Sequence, residues 1–169
     1  LDEEGTIRHE GRVTLYDPNH ISALLCNYSA LKQNSYEDLN SDIRWLMEDL
    51  DNIIEKCLKD EYPLYYDLVR YKIDGITNAE IREKLEEDYG ISHSLEYLSS
   101  LYRNKIPKLI AEYAKEDWLN WYFTNIEKGT WKTCSKCGET KLAHNIYFSK
   151  NKTAKSGFYS ICKACRNSK

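Results

Sequence analysis

The sequence predicts a mainly α protein, a helical body followed by a small C-terminal α+β module. Three observations carry this. From Ile21 onward apolar residues recur at steps of three and four, the period of helices with one buried face. Near the C-terminus, four of the six cysteines fall in two Cys-x-x-Cys pairs, Cys134/Cys137 and Cys162/Cys165. Charge divides along the same line. Residues 1–127 carry 14 Lys and Arg against 26 Asp and Glu, whereas residues 128–169 carry 10 against one, Glu139.

Residues 1–17 are mixed, with Gly5 and Gly11, and Arg12-Val-Thr-Leu-Tyr16 reads as a short strand. Asp17-Pro18-Asn19 is a helix-start signal. Ile21, Leu24, Leu25, Tyr28 and Leu31 then give one apolar face. Leu39, Ile43, Leu46, Leu50, Ile53 and Cys57 follow at steps of 4, 3, 4, 3 and 4, a heptad seam on a helix of about 22 residues. Packing inside the chain accounts for this seam most simply, and a homodimer through it is the sharper alternative. Residues 1–61 are therefore read as an N-terminal segment plus an acidic helical hairpin.

Residues 62–127 hold a second pattern. Leu64, Leu68, Val69 and Ile73 form a face that Gly75 stops. Thr77-Asn-Ala-Glu80 is a capping box, in which each side chain reaches the other's backbone N–H. Ile81, Leu85 and Tyr89 carry that helix to Gly90, and Ile91-Ser92 turns into a third helix with Leu95, Leu98, Leu101 and Tyr102 inward. Pro107 is expected to end or kink it, or to open the next helix. Helix, Gly turn, helix, Gly-Ile-Ser turn, helix is the sequence form of a helix-turn-helix unit. At 100° per residue, His93, Glu96, Tyr97, Ser100, Arg103 and Asn104 lie opposite the third helix's core face. Tyr97, Ser100, Arg103 and Asn104 have donors suited to base edges or phosphates. Arg103, Lys105 and Lys108 form a basic cluster at its end. Ile110, Tyr113, Ala114, Trp118, Trp121 and Tyr122 continue as an aromatic helix face, and residues 127–130 read as a short hinge.

Residues 128–169 read as a basic zinc finger. Four thiolates fill the tetrahedral shell that Zn²⁺ takes in structural sites and leave no position for water. Gly138 suits a tight knuckle turn after the first pair. Ile146-Tyr147-Phe148 and Phe158-Tyr159-Ser160-Ile161 read as two strands around the polar connection 151–157, and Cys162 opens a short helix. Knuckle, hairpin and helix start around one ion describe a treble-clef finger. Trp131 is expected to pack the finger on the body. Lys136, Lys150, Lys152, Lys155, Lys163 and Arg166 are its candidate phosphate contacts, since cations on a Lys-rich module attract a nucleic-acid backbone.

Two resemblances follow from these residues. Lys132-Thr-Cys134-Ser-Lys-Cys137-Gly-Glu-Thr-Lys141, Tyr147-Phe148-Ser-Lys and Gly157-Phe-Tyr-Ser-Ile-Cys162-Lys-Ala-Cys165-Arg166 resemble the small treble-clef finger of phage proteins, found also beside HNH endonuclease domains. In those nucleases a histidine-rich motif accompanies the finger. This module holds one histidine, His144, so the resemblance implies metal binding and no hydrolytic centre. Asp74-Gly-Ile-Thr-Asn-Ala-Glu-Ile-Arg-Glu-Lys-Leu85 with Tyr89-Gly-Ile-Ser92 resembles the helix-turn-helix of bacterial regulators and sigma-type domains.

Other features narrow the class. There is no Gly-rich phosphate loop, nucleophile elbow or His-Glu-x-x-His, and His9, His20 and His93 stand apart in sequence. No apolar run approaches the roughly 18 residues of a membrane span, and no signal-peptide pattern is evident. Leu1 is not an initiator methionine, so the natural start is expected upstream. Cys26 and Cys57 fall on apolar helical positions and are expected to be reduced and buried, which points to the cytosol, that of a bacterial host if the protein is phage-encoded. The expectation is a non-catalytic double-stranded-DNA-binding protein, a phage or mobile-element transcription regulator with one structural Zn²⁺. Its alternatives are a packaging factor of the small-terminase kind and an acidic adaptor docking on a protein such as RNA polymerase.

Overall fold

A computed structural model describes residues 12–37 and 42–168. Gly5, His9, Gly11 and Leu39 of the expectations above lie outside the described residues. The chain is mainly α, with a small α+β part at the C-terminal end. It divides into two compact units, one up to Lys115 and one from Glu116 to Lys169.

In the first unit, α1 (Pro18–Cys26) starts at the predicted signal. Asp17 accepts the Asn19 N–H at 2.8 Å, and Pro18 occupies the first helical turn. Residues 12–16 do not form the expected strand. Leu15 is buried in the helical core, and the Thr14 N–H donates to His20 Nδ1 at 3.2 Å. That local donor–acceptor pair takes the place of a ladder. Ile21, Leu24 and Leu25 are buried, but Cys26 is exposed, contrary to expectation. One residue past Leu25 is a 100° rotation, which carries its thiol off the apolar face.

The chain breaks at Asn27 into α2 (Tyr28–Glu37) and then α3 (Asp42–Leu58). Met47, Leu50, Ile54, Cys57 and Leu58 are the buried line of α3. Ile43, Leu46 and Ile53 of the predicted seam flank that line, half-buried against the same core. The seam thus packs within its own unit. The true stripe is broader than a heptad line, as expected of a helix facing a globular core.

α4 (Pro63–Ile73) ends before Gly75, whose φ is +78°. α5 (Asn78–Tyr89) has the predicted capping box, with the Thr77 hydroxyl and the Glu80 carboxylate each accepting the other's N–H. It ends at Gly90 in the left-handed region, φ +66°. Ser94 caps α6 (Leu95–Ser100), accepting the Tyr97 N–H at 3.1 Å.

The third helix does not stop at Pro107. A π-helical turn, Leu101–Lys105, joins α6 to α7 (Ile106–Asn125) without a break. Proline has no N–H, so the Arg103 carbonyl loses its normal i+4 donor. The Ser22 hydroxyl of α1 donates to that carbonyl at 2.9 Å. One residue earlier the Ile106 N–H reaches back five residues to the Leu101 carbonyl. The widened turn is the local answer to one missing donor. It also buries Tyr102, whose hydroxyl donates to the Leu25 carbonyl at 2.8 Å.

In the second unit the last turns of α7 bury Leu119 and lead through residues 127–130 to β1 (Trp131–Thr133). β1 pairs antiparallel with β2 (Thr140–Leu142), Trp131 opposite Leu142 and Thr133 opposite Thr140. These strands flank the first cysteine pair. The two strands expected at 146–148 and 158–161 are absent, and a single bridge, Lys150 with Phe158, remains of them. The N–H groups of Tyr147 and Phe148 both donate to the His144 carbonyl, at 3.1 and 3.0 Å. This turn satisfies the backbone locally, and Phe148, wholly buried, belongs to one core cluster with Cys134 and Cys162. Residues 127–130, read from the sequence as a short hinge, lie within the second unit. The Gly129 N–H donates to Phe123, and a Cβ on Gly129 would stand 2.8 Å from both Leu142 Cδ1 and Phe123 Cβ. Trp131, expected to pack the module on the body, is 44% exposed.

Candidate metal centre and nucleic-acid interface

The first cysteine pair sits on a knuckle. Gly138 has φ +75°, and its N–H donates to the Cys134 carbonyl at 2.9 Å. The second pair sits on α8 (Lys163–Asn167), with Cys162 at its N-cap and Cys165 in its first turn. The two halves are stitched by the Ser135 N–H donating to the Ser160 carbonyl at 3.0 Å. As predicted, Cys134, Cys137, Cys162 and Cys165 converge, with all four Sγ atoms within 4.8 Å of one another. A tetrahedral shell with metal–sulfur bonds of ~2.3 Å spaces its sulfurs roughly 3.8 Å apart, so small side-chain rotations close the cluster on one ion.

The electrostatics fit a cation. The backbone N–H groups of Cys162 and Lys136 point at Cys134 Sγ, at 3.3 and 3.4 Å. The Cys162 N–H foremost, with that of Cys137 next, holds the Cys134 thiol down to about 6. Cys165 moves the other way, pushed up to about 12 chiefly by the neighbouring Cys137 and Cys162 sulfurs. Four thiolates this close repel, and a divalent ion reverses that balance by deprotonating its ligands. Thiolates favour soft or borderline ions over Mg²⁺ and Ca²⁺. The arrangement can hold one structural metal ion.

Around the cluster, the candidate cations differ in their circumstances. Lys150, Lys152, Lys155, Lys163 and Arg166 are exposed. The Arg166 guanidinium lies 4.6 Å from the Tyr159 ring centroid. Lys136 is also exposed, but its ammonium donates to the Cys165 carbonyl at 2.8 Å, at the end of α8. Its charge closes the helix's C-terminal end. Glu139 pairs with Lys141 at 2.8 Å, and this hydrogen bond holds its carboxyl below the usual range.

In the first unit, Tyr97, Ser100, Arg103, Asn104, Lys105 and Lys108 are all exposed along α6, the π turn and the start of α7. Tyr97 lies against His93, the ring centroids 4.8 Å apart and the planes tilted by 35°. Lys105 lies 5.2 Å from the Tyr65 ring centroid, and Tyr65 raises its pKa. The Glu96 carboxyl is held down by its own N–H and then by Ser94, at the α6 N-terminus. The sequence projection missed one participant. Lys72, on α4, lines the same recess as Arg103. Only the fold brings these two together, 31 positions apart in sequence.

Comparison with known proteins yields no match, whether to protein-family models, curated proteins or solved structures. Among the described residues no helix is long and apolar enough to cross a membrane.

Proposed function

We propose that this chain is a non-catalytic protein that binds double-stranded DNA, with one structural Zn²⁺ in the four-cysteine site. The observation that carries the reading is the charge of the cysteine module. Its basic side chains at 150, 152, 155, 163 and 166 stand exposed, while Glu139 is neutralised by Lys141. Such a surface attracts phosphate without regard to sequence. Zinc is favoured because a closed four-thiolate shell is its usual structural form.

α4, α5 and α6 act in this reading as a helix-turn-helix unit. The capped start of α5, the left-handed Gly90 and the Ser94 cap give α6 a defined start, from which Tyr97, Ser100, Arg103 and Asn104 face solvent. Asn pairs bidentately with adenine and Arg with guanine. The setting we infer is transcription regulation in a phage or mobile element. The adaptor alternative has one observation in its favour, the exposed acids Glu83, Glu86, Glu87 and Asp88 on α5.

The test is DNA binding across a salt series. Replacing Lys150, Lys152 and Lys155 together by Glu should weaken binding to every duplex alike. It should also flatten the log–log salt slope by about 0.9 for each phosphate no longer neutralised. Unchanged affinity and slope would reject the module as the DNA-binding surface. No binding by the zinc-loaded wild type to any duplex would leave the adaptor reading. Elemental analysis of freshly reduced protein should return one zinc per chain.

A further inference from the structure

At the α1–α2 corner of the first unit lies a cleft of ≈ 480 Å³. Residues 26–30 form one wall, Lys72 comes from α4, Asn78 from α5, Ser99 from α6 and Arg103 from the π turn. Among the described residues no Asp or Glu lines it. The two cations are close enough to feel each other. Burial first, and then the Arg103 charge, push the Lys72 ammonium below its ordinary pKa. Lys72 also lies 5.9 Å from the Tyr102 ring centroid, which fixes it at the cleft wall. Asn78 contributes a buried Oδ1 with no hydrogen-bond partner.

We propose that this cleft is an oxyanion site that takes a phosphoryl group between Lys72 and Arg103. A half-buried Lys72 beside an exposed Arg103, with no carboxylate among the described lining residues, leaves two like charges without an offset, and an anion between them removes that repulsion. The volume falls in the range of small-ligand pockets, so it admits a phosphoryl group together with part of the molecule that bears it. The Asn78 amide meets a polar group on that remainder. Rotating the amide by 180° offers either an acceptor or a donor. The inference does not rest on DNA binding, because the same chemistry arrives with a small phosphorylated molecule or with a nucleic-acid backbone.

The experiment uses the full zinc-loaded chain and inorganic pyrophosphate as the probe, followed by backbone amide NMR. Pyrophosphate should shift the amides of residues 26–30, Asn78, Ser99 and Arg103. Lys72→Gln should weaken it by about tenfold or more, with a thermal midpoint equal to or above the wild type because the repulsion is gone. Lys84→Gln, outside the cleft, should bind as the wild type does. Absence of these shifts at saturating probe overturns the proposal, and so does a folded Lys72→Gln variant of undiminished affinity. A duplex arm identifies the source. If duplex displaces pyrophosphate and moves the same amides, the phosphoryl group is the DNA backbone. If duplex binds without displacing it, or does not bind at all, the site serves a small phosphorylated molecule. The last outcome also removes the DNA reading while the cleft stands.

Discussion

Cys26 and Cys57 look alike in sequence, each on an apolar helical stretch, and the structure separates them. Cys26 is exposed. Cys57 is buried, with its thiol donating to the Leu109 carbonyl at 3.7 Å. Burial, with Glu61 and Glu112 nearby, pushes its pKa up to about 11 from 9.0. A thiol kept neutral in the fold but ionised in the unfolded chain ties stability to pH. Its contribution is fully present below pH 9 and is lost as pH rises through 11. Urea titrations at pH 8, 9, 10 and 11 should therefore show a fall that is smaller in Cys57→Ala. Equal falls in both proteins would assign the alkaline loss to other groups. In metal-loaded protein, alkylation followed by peptide mass mapping should label Cys26 well before Cys57.

Among the elements, those with a chemical start signal were the legible ones. Asp17-Pro18 and Thr77-Asn-Ala-Glu80 act through side chains within three residues of the N–H groups they satisfy, so the sequence alone suffices to place α1 and α5. Thr77→Ala removes an N-cap acceptor, and its urea midpoint should fall by the equivalent of about 1 kcal/mol. A cap that carried no weight would leave the midpoint where it was. The π turn was not legible, although its cause was. Pro107 announces a missing donor, but the outcome depended on the Ser22 hydroxyl arriving from α1. The strands of the cysteine module failed for a related reason. Tyr147 and Phe148 have strand-like chemistry, yet their N–H groups turn back on His144 so that Phe148 can fill the centre.

At the scale of the whole molecule, the four-cysteine cluster could be read from spacing, because two Cys-x-x-Cys pairs constrain their own geometry. The Lys72–Arg103 recess could not be, since nothing local links α4 to the π turn. The two-unit division carries its own prediction. The helical core of the first unit contains none of the four metal ligands. Cys162→Ser should therefore abolish metal binding and the ordered signals of the cysteine module, with far-UV helical circular dichroism nearly intact. A collapse of the helical signal would mean that the units fold as one.

The widened turn before Pro107 also has a bearing on descent. A π turn holds one residue more than the α turn it replaces, which is the mark an inserted residue would leave in a regular helix. A relative lacking the proline should align with this chain only through a one-residue gap between Leu98 and Ile110. Genetically, deleting Asn104 together with Pro107→Ala should yield a folded chain, whereas a deletion at Leu50, in the middle of α3, should not.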